Sequence, residues 1–239
     1  MTAVFVHGNP ETDAIWGPLT AVLGRDDVVL LSPPGFGAPL PDGFGATMTE
    51  YRDWLESALE KIDGPIDLVG HDWGGGHVVN VAMHRPELVR SWASDSVGLF
   101  DADYVWHDMA QVWQTPGAGE ESLAAMMDGG VPARTEVMVS FGIPADIGAA
   151  LAEQQNDEMR TAILALYRSA AQPAMAEAGR ALESAAARPG LALLPTADPF
   201  IGPNENRRRA AERPARASSC SRGSGTGGWS RTPSAVRRR

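Results

Sequence analysis

Cysteine is nearly absent. Cys220 is the only one in 239 residues, so no disulfide can form within one chain. Long apolar runs are missing too: no stretch approaches the roughly 20 apolar residues that span a bilayer, so no membrane partner is expected. No basic region precedes Met1-Thr2-Ala3-Val4, and His7 and Gly8 soon break the apolar run, so a signal-peptide pattern is lacking. These absences make a cytoplasmic location the expectation. No metal and no cofactor are expected either. Basic residues are scarce outside the C-terminal tail. Residues 207–239 hold 10 of the 20 Lys and Arg residues and 1 of the 30 acids, which puts +9 on the tail and −19 on residues 1–206. An acidic body argues against nucleic acid as a partner.

The most informative stretch is Leu68-Val69-Gly70-His71-Asp72-Trp73-Gly74-Gly75-Gly76. An apolar run, 65–69, precedes it, and Val78, Val79, Val81 and Ala82 follow at helical spacing. This predicts a strand, a sharp turn and a helix. Glycines two residues either side of Asp72 let the backbone kink tightly and the helix pack close to the strand. Asp72 is then held at the strand tip beside the positive end of a helix. The plainer alternative is that Asp72 only caps that helix.

Other elements run in order around this turn. Ala3-Val4-Phe5-Val6 reads as a buried strand leading into His7-Gly8-Asn9-Pro10-Glu11-Thr12. A turn there can present backbone N–H groups, and the Asn9 amide adds a polar handle. Val28-Val29-Leu30-Leu31-Ser32 is the next strand, ending in Pro33-Pro34-Gly35-Phe36-Gly37. Thr47-Met48-Thr49-Glu50 forms a capping box for a helix carrying Tyr51, Trp54, Leu55, Leu59 and Ile62. A strand at 91–94 follows the central helix. From about Phe100 to Leu182 helix-like segments rich in Met, Trp and Ala dominate. The sheet resumes at Leu191-Ala192-Leu193-Leu194, before Thr196-Ala197-Asp198-Pro199-Phe200. Alternating strands and helices predict an α/β fold with a mostly parallel sheet and helices on both faces.

The loops at 7–10, 33–37, 70–74 and 196–200 together resemble those of the α/β-hydrolase fold family, over about residues 2 to 213. The pair H-G-N-P and G-H-D-W-G-G is similar to its Asp-nucleophile branch, the epoxide hydrolases and haloalkane dehalogenases. The resemblance implies a core at 1–99 and 183–213 with an inserted helical lid at 100–182, while composition reads 214–239 as a basic, disordered tail. The chain starts at what would be the family's third strand. The resemblance also implies roles: Asp72 as nucleophile, Asp198 as the acid that orients a histidine, and Gly8, Asn9 and Trp73 around the oxyanion or leaving group. An Asp nucleophile suits attack at sp³ carbon, forming an alkyl ester that a His-activated water hydrolyses.

That histidine should follow Asp198, and none does. The five are His7, His71, His77, His84 and His107. Only His107, in the lid, is placed to stand in. From about Pro214 apolar residues nearly vanish, and five glycines and prolines fall between Gly223 and Pro233. A shifted reading frame accounts for this. Joining the third base of each codon to the first two of the next turns Gly225–Thr226 into NAC, a histidine codon when N is C. With free bases chosen favourably, residues 222–233 encode G-L-G-H-W-W-M-V-E-D-P, similar to the family's closing G-H-W/F…P. As written, the last strand and closing helix are expected to be missing, with poor solubility and a protease cut after about Arg213.

The substrate is expected to be a small organic molecule, apolar to moderately polar. Asn9 and Trp73 match the halide-binding positions of haloalkane dehalogenases. Ala165-Leu166-Tyr167-Arg168 resembles the stretch around the second proton-donating lid tyrosine of epoxide hydrolases. Trp113-Gln114-Thr115-Pro116-Gly117 resembles the stretch just after the first, for which Tyr104 is the nearest candidate. The favoured reading is an epoxide-hydrolase-like enzyme, inactive as written if the histidine is absent; the alternatives are a haloalkane dehalogenase, an ester hydrolase, and a non-catalytic ligand-binding remnant.

Overall fold

The structure, a computed structural model, describes residues 1–214 and the backbone of 217–221. Its frame is a six-stranded sheet in the order β2-β1-β3-β4-β5-β6. The strands are β1 (Thr2–Val6), β2 (Val28–Leu31), β3 (Ile66–Gly70), β4 (Ser91–Ser94), β5 (Gly190–Pro195) and β6 (Ala217–Ser221). Every pairing is parallel. A parallel sheet needs helical crossovers, which bury both of its faces.

The alternation along β1 shows the two layers. Ala3 and Phe5 pack with Ile15, Trp16 and Leu19, the last on α1 (Gly17–Leu23). Val4 and Val6 join Tyr51 and Leu55 of α2 (Met48–Leu59) and Val78 and Val79 of α3 (Trp73–His84). The predicted capping box opens α2: the Thr47 hydroxyl accepts the Glu50 N–H at 3.3 Å, and the Glu50 carboxylate accepts the Thr47 N–H at 3.1 Å.

Between β4 and β5 run α4 (Asp108–Gln114), α5 (Ala118–Met127), α6 (Val131–Ser140), α7 (Ala145–Gln154), α8 (Asp157–Ser169) and α9 (Ala174–Ala178). Trp113, Ile163 and Tyr167 enter the core that holds Val6. Met138, Ile143 and Leu151 enter the one that holds Trp16. No helix among the described residues is long and apolar enough to cross a membrane.

After β5 come α10 (Asn204–Glu212) and then β6. The expected loss of the last strand is corrected here. β6 lies parallel to β5, from Leu191↔Ala217 to Pro195↔Ser221. The ladder is made by backbone groups, and 217–221 contain no proline or glycine; the breakers begin at Gly223. An edge strand does not require the apolar alternation of a central one. The expected protease cut after about Arg213 falls beside 215 and 216, which lie outside the described residues. The closing helix and the tail beyond Ser221 lie outside the described residues.

β1 is flanked by β2 on one side and β3 on the other, so chain order reverses between β1 and β3. A crevice opens beyond the carboxyl ends of strands at such a switch point. The loops that leave β1 and β3 there carry Gly8, Asn9 and Asp72.

Candidate active site

Asp72 sits between β3 and α3 with φ 51° and ψ −126°. A positive φ is unfavourable for a residue with a Cβ, and such strain gathers where a side chain is held for a purpose. Its side chain accepts no N–H from the second or third residue of α3, where a capping side chain would bond, against the plainer reading of the turn. Two glycines permit the arrangement. A Cβ on Gly74 would overlap the Val6 and His7 carbonyls, and one on Gly8 would overlap the Asp72 carboxylate. Gly8→Ala is therefore expected to keep the fold yet cut the rate of any covalent reaction at Asp72 at least about tenfold; intact-mass spectrometry measures that rate.

The Asp72 carboxylate accepts the backbone N–H of Asn9 at 2.8 Å and also that of Trp73. Two converging N–H groups are the arrangement that stabilises an oxyanion. Burial pushes the Asp72 carboxyl up to about 7, with Glu11 adding to the effect and His71 opposing it.

A cleft of about 470 Å³, part of it open to solvent, lies over Asp72. Asn9, Glu11, His107, Trp113 and Tyr167 are among its walls. Asn9 Nδ2 donates to the Tyr167 hydroxyl at 3.3 Å, and the Trp73 side chain hydrogen-bonds the same hydroxyl. Trp73 itself is buried and stacked between Trp106 and His77 at 5.6 and 5.8 Å. Burial, with Asp72 nearby, pushes the Tyr167 phenol far up, so it keeps its proton. Tyr104 is not brought to this cleft. Its hydroxyl donates to the Phe200 carbonyl at 2.9 Å, so it is not placed as a second proton donor. An aromatic on an apolar face packs as core when its polar tip finds a backbone partner.

His107 does reach the cleft, but its Nδ1 accepts the Ala110 N–H at 3.2 Å. Burial pushes the ring down to about 4, which leaves it neutral with its proton on Nε2. It is a donor there, not a base.

Asp198 is buried after β5, and its Oδ1 accepts the Phe200 N–H at 2.7 Å. The buried Arg207 guanidinium gathers the Pro195, Asp198 and Gly202 carbonyls and so shapes this loop. Burial raises the Asp198 carboxyl; nearby Asp95 adds to this, while Arg207 and His71 oppose it. Asp95 and Glu11 were missed from sequence. Asp95 follows β4 directly, as Asp198 follows β5, and Ser94-Asp95-Ser96 after a strand was the available signal. No group of three or more His, Cys, Asp or Glu residues among those described is placed to hold a metal ion.

Over 173 residues the chain is 26% identical to a haloalkane dehalogenase of Mesorhizobium japonicum, a match covering 66% of this chain and 52% of that protein. Over 104 residues it is 31% identical to a cis-3-alkyl-4-alkyloxetan-2-one decarboxylase of Shewanella oneidensis, covering 41% of this chain and 32% of that one. The chain thus spans about half, or less, of the curated relatives it matches. The crystal structure of haloalkane dehalogenase DbeA from Bradyrhizobium elkani superposes with a TM-score of 0.73 at 23% identity, covering 98% of this chain and 86% of that one. At that identity the likeness speaks for the fold. The sequence pattern of the alpha/beta hydrolase family matches residues 3–228, nearly the whole sequence, and the chain belongs to that family.

Proposed function

We propose that the chain opens a strained oxygen ring, an epoxide in the first instance, with Asp72 as nucleophile. A carboxylate oxygen of Asp72 attacks an sp³ ring carbon, the ring C–O bond breaks, and an alkyl ester forms on Asp72. The departing oxygen takes its proton from Tyr167. The carrying observation is the convergence of Asn9 and Trp73 on the Tyr167 hydroxyl oxygen. Occupied as an acceptor from both, that hydroxyl is left to donate its own proton, and an oxygen leaving group needs one. Helices α4 to α9 serve as the lid that shields the ester from bulk water. The relative acting on an oxetan-2-one, a four-membered oxygen ring, supports this substrate class.

A second reading is halide displacement, supported by the haloalkane dehalogenase among the relatives. The Asn9 and Trp73 donors would then bind the departing halide once Tyr167 turned aside. Ester hydrolysis or simple ligand binding has no comparable geometric support. Intact-mass spectrometry separates the readings. An epoxide adds its whole mass to Asp72, whereas an alkyl halide adds only its alkyl group and releases halide. Adduct from bromoalkanes alone, with none from epoxides, would overturn the preferred reading.

A further inference from the structure

His71 lies beneath the proposed nucleophile with its side chain almost wholly inside the protein. Its Nδ1–H donates to Asp95 Oδ2 at 2.5 Å, and its Nε2 faces Glu11 Oε1 at 3.3 Å. Both carboxylates are nearly as buried as the ring. Each also uses its second oxygen on one of the two loops that form the site. Asp95 Oδ1 accepts the backbone N–H of Asp72 at 3.0 Å and the Ser96 hydroxyl at 3.0 Å. Glu11 Oε2 accepts the backbone N–H of Gly8 at 3.3 Å. The His71 backbone N–H reaches back to the Val6 carbonyl at 3.0 Å. One imidazole thus joins the end of β1, the elbow after β3 and the loop after β4.

We propose that His71 is a positioning residue for the Asp72 reaction. Clamped between Glu11 and Asp95, it locks the oxyanion loop to the elbow and supplies the positive charge against which the Asp72 carboxylate ionises. This rests on Asp72 being the nucleophile.

Chemistry supports a charged ring. A neutral imidazole carries no charge to hold two carboxylates, while an imidazolium attracts both, Asp95 through a hydrogen bond and Glu11 as an ion pair across 3.3 Å. Two buried carboxylates without a cation between them would repel each other and Asp72. Burial works against the charged ring, but Asp95 and Glu11 outweigh it and hold His71 well above the usual histidine range. The other titratable groups around it act in the same balance. Asp72 and Asp198 both feel the His71 charge, and His7 is kept neutral by burial. The edge of Trp16 closes the remaining side, with ring centroids 6.3 Å apart.

The test follows the Asp72 carboxyl carbon by ¹³C NMR titration of the full chain, assigned by its loss in Asp72→Asn. His71→Gln is expected to move the Asp72 midpoint up by about one unit or more. Glu11→Gln keeps a hydrogen-bonding group near Gly8 and should move it down. The double variant His71→Gln/Glu11→Gln should return toward the parent. A merely structural ion cluster would lower the unfolding temperature of these variants and leave the titration unmoved, and that result overturns the proposal. If His71→Gln fails to fold, Glu11→Gln decides: a downward shift supports the role, and an unmoved midpoint ends it. Adduct formation is measured separately in the parent. Its absence, with the titration moving as stated, would sink the nucleophile reading and leave the electrostatic role standing.

Discussion

Incubated with a reactive epoxide, the full 239-residue chain is expected to gain one molecule of it and then stop. The first step needs only what the structure assembles: Asp72, two backbone N–H groups on its carboxylate, and the Tyr167 proton. The second step needs a base to activate water. No histidine follows Asp198, and His107 has committed its Nδ1 lone pair to Ala110. The adduct should therefore persist, seen as a stable increment by intact-mass spectrometry and absent in Asp72→Asn. Steady multiple turnover by the pure chain would refute this. Alkylation should accelerate as pH rises through about 7, because only the ionised carboxylate attacks. The same shift bears on stability. The folded state holds the Asp72 proton up to about 7, against an ordinary value of 3.8, so deprotonation costs stability as pH rises between those values. Below the lower value the cost is absent; above the upper one it is complete. The Asp72 side chain keeps some contact with solvent, which screens part of this cost, so the gain in Asp72→Asn at pH 8 is expected at about 2 kcal/mol, vanishing near pH 3. Thermal or urea unfolding at the two pH values checks it.

Restoring the alternative reading frame by a single-base change is expected to turn the proposed one-time alkylation of Asp72 into multiple turnover. A positioned general base is worth about 10²–10⁴-fold in rate. β6 ends at Ser221, beside Pro195 at the carboxyl end of β5 that leads to Asp198. The shifted frame places its histidine codon at 225–226, within a few residues of that point. A restored closing helix would also have somewhere to pack. A groove of about 490 Å³ runs over β3, β4 and β5, lined by Val69, Ala93 and Leu191, the last 36% exposed. Burying such a face should raise the soluble yield. Sequencing the gene across residues 206–239 is the first check. Comparing turnover and soluble yield of the two chains is the second. A corrected chain that behaves no better rules out the frameshift account.

Local pattern alone, in these 239 residues, determined the order of strands and helices, the capping box at Thr47 and the elbow around Asp72. Each depends on neighbours within a few positions: apolar alternation, helical spacing, or glycines two residues from a central side chain. The meeting of Asn9 with Asp72 followed from the order of the loops. Tertiary structure decided the rest, because it depended on which distant groups share a volume and find partners there. Tyr104 and Tyr167 read alike as lid aromatics; only packing gave one to the Phe200 carbonyl and the other to Asn9, 158 positions away. β6 looked unformable by its side chains, yet backbone groups pair whatever those are, provided no proline intervenes. Glu11, His71 and Asp95 carry no spacing signal that joins them. They form a cluster because β1, β3 and β4 lie side by side and parallel, so that loops far apart in sequence leave the same, carboxyl end of the sheet.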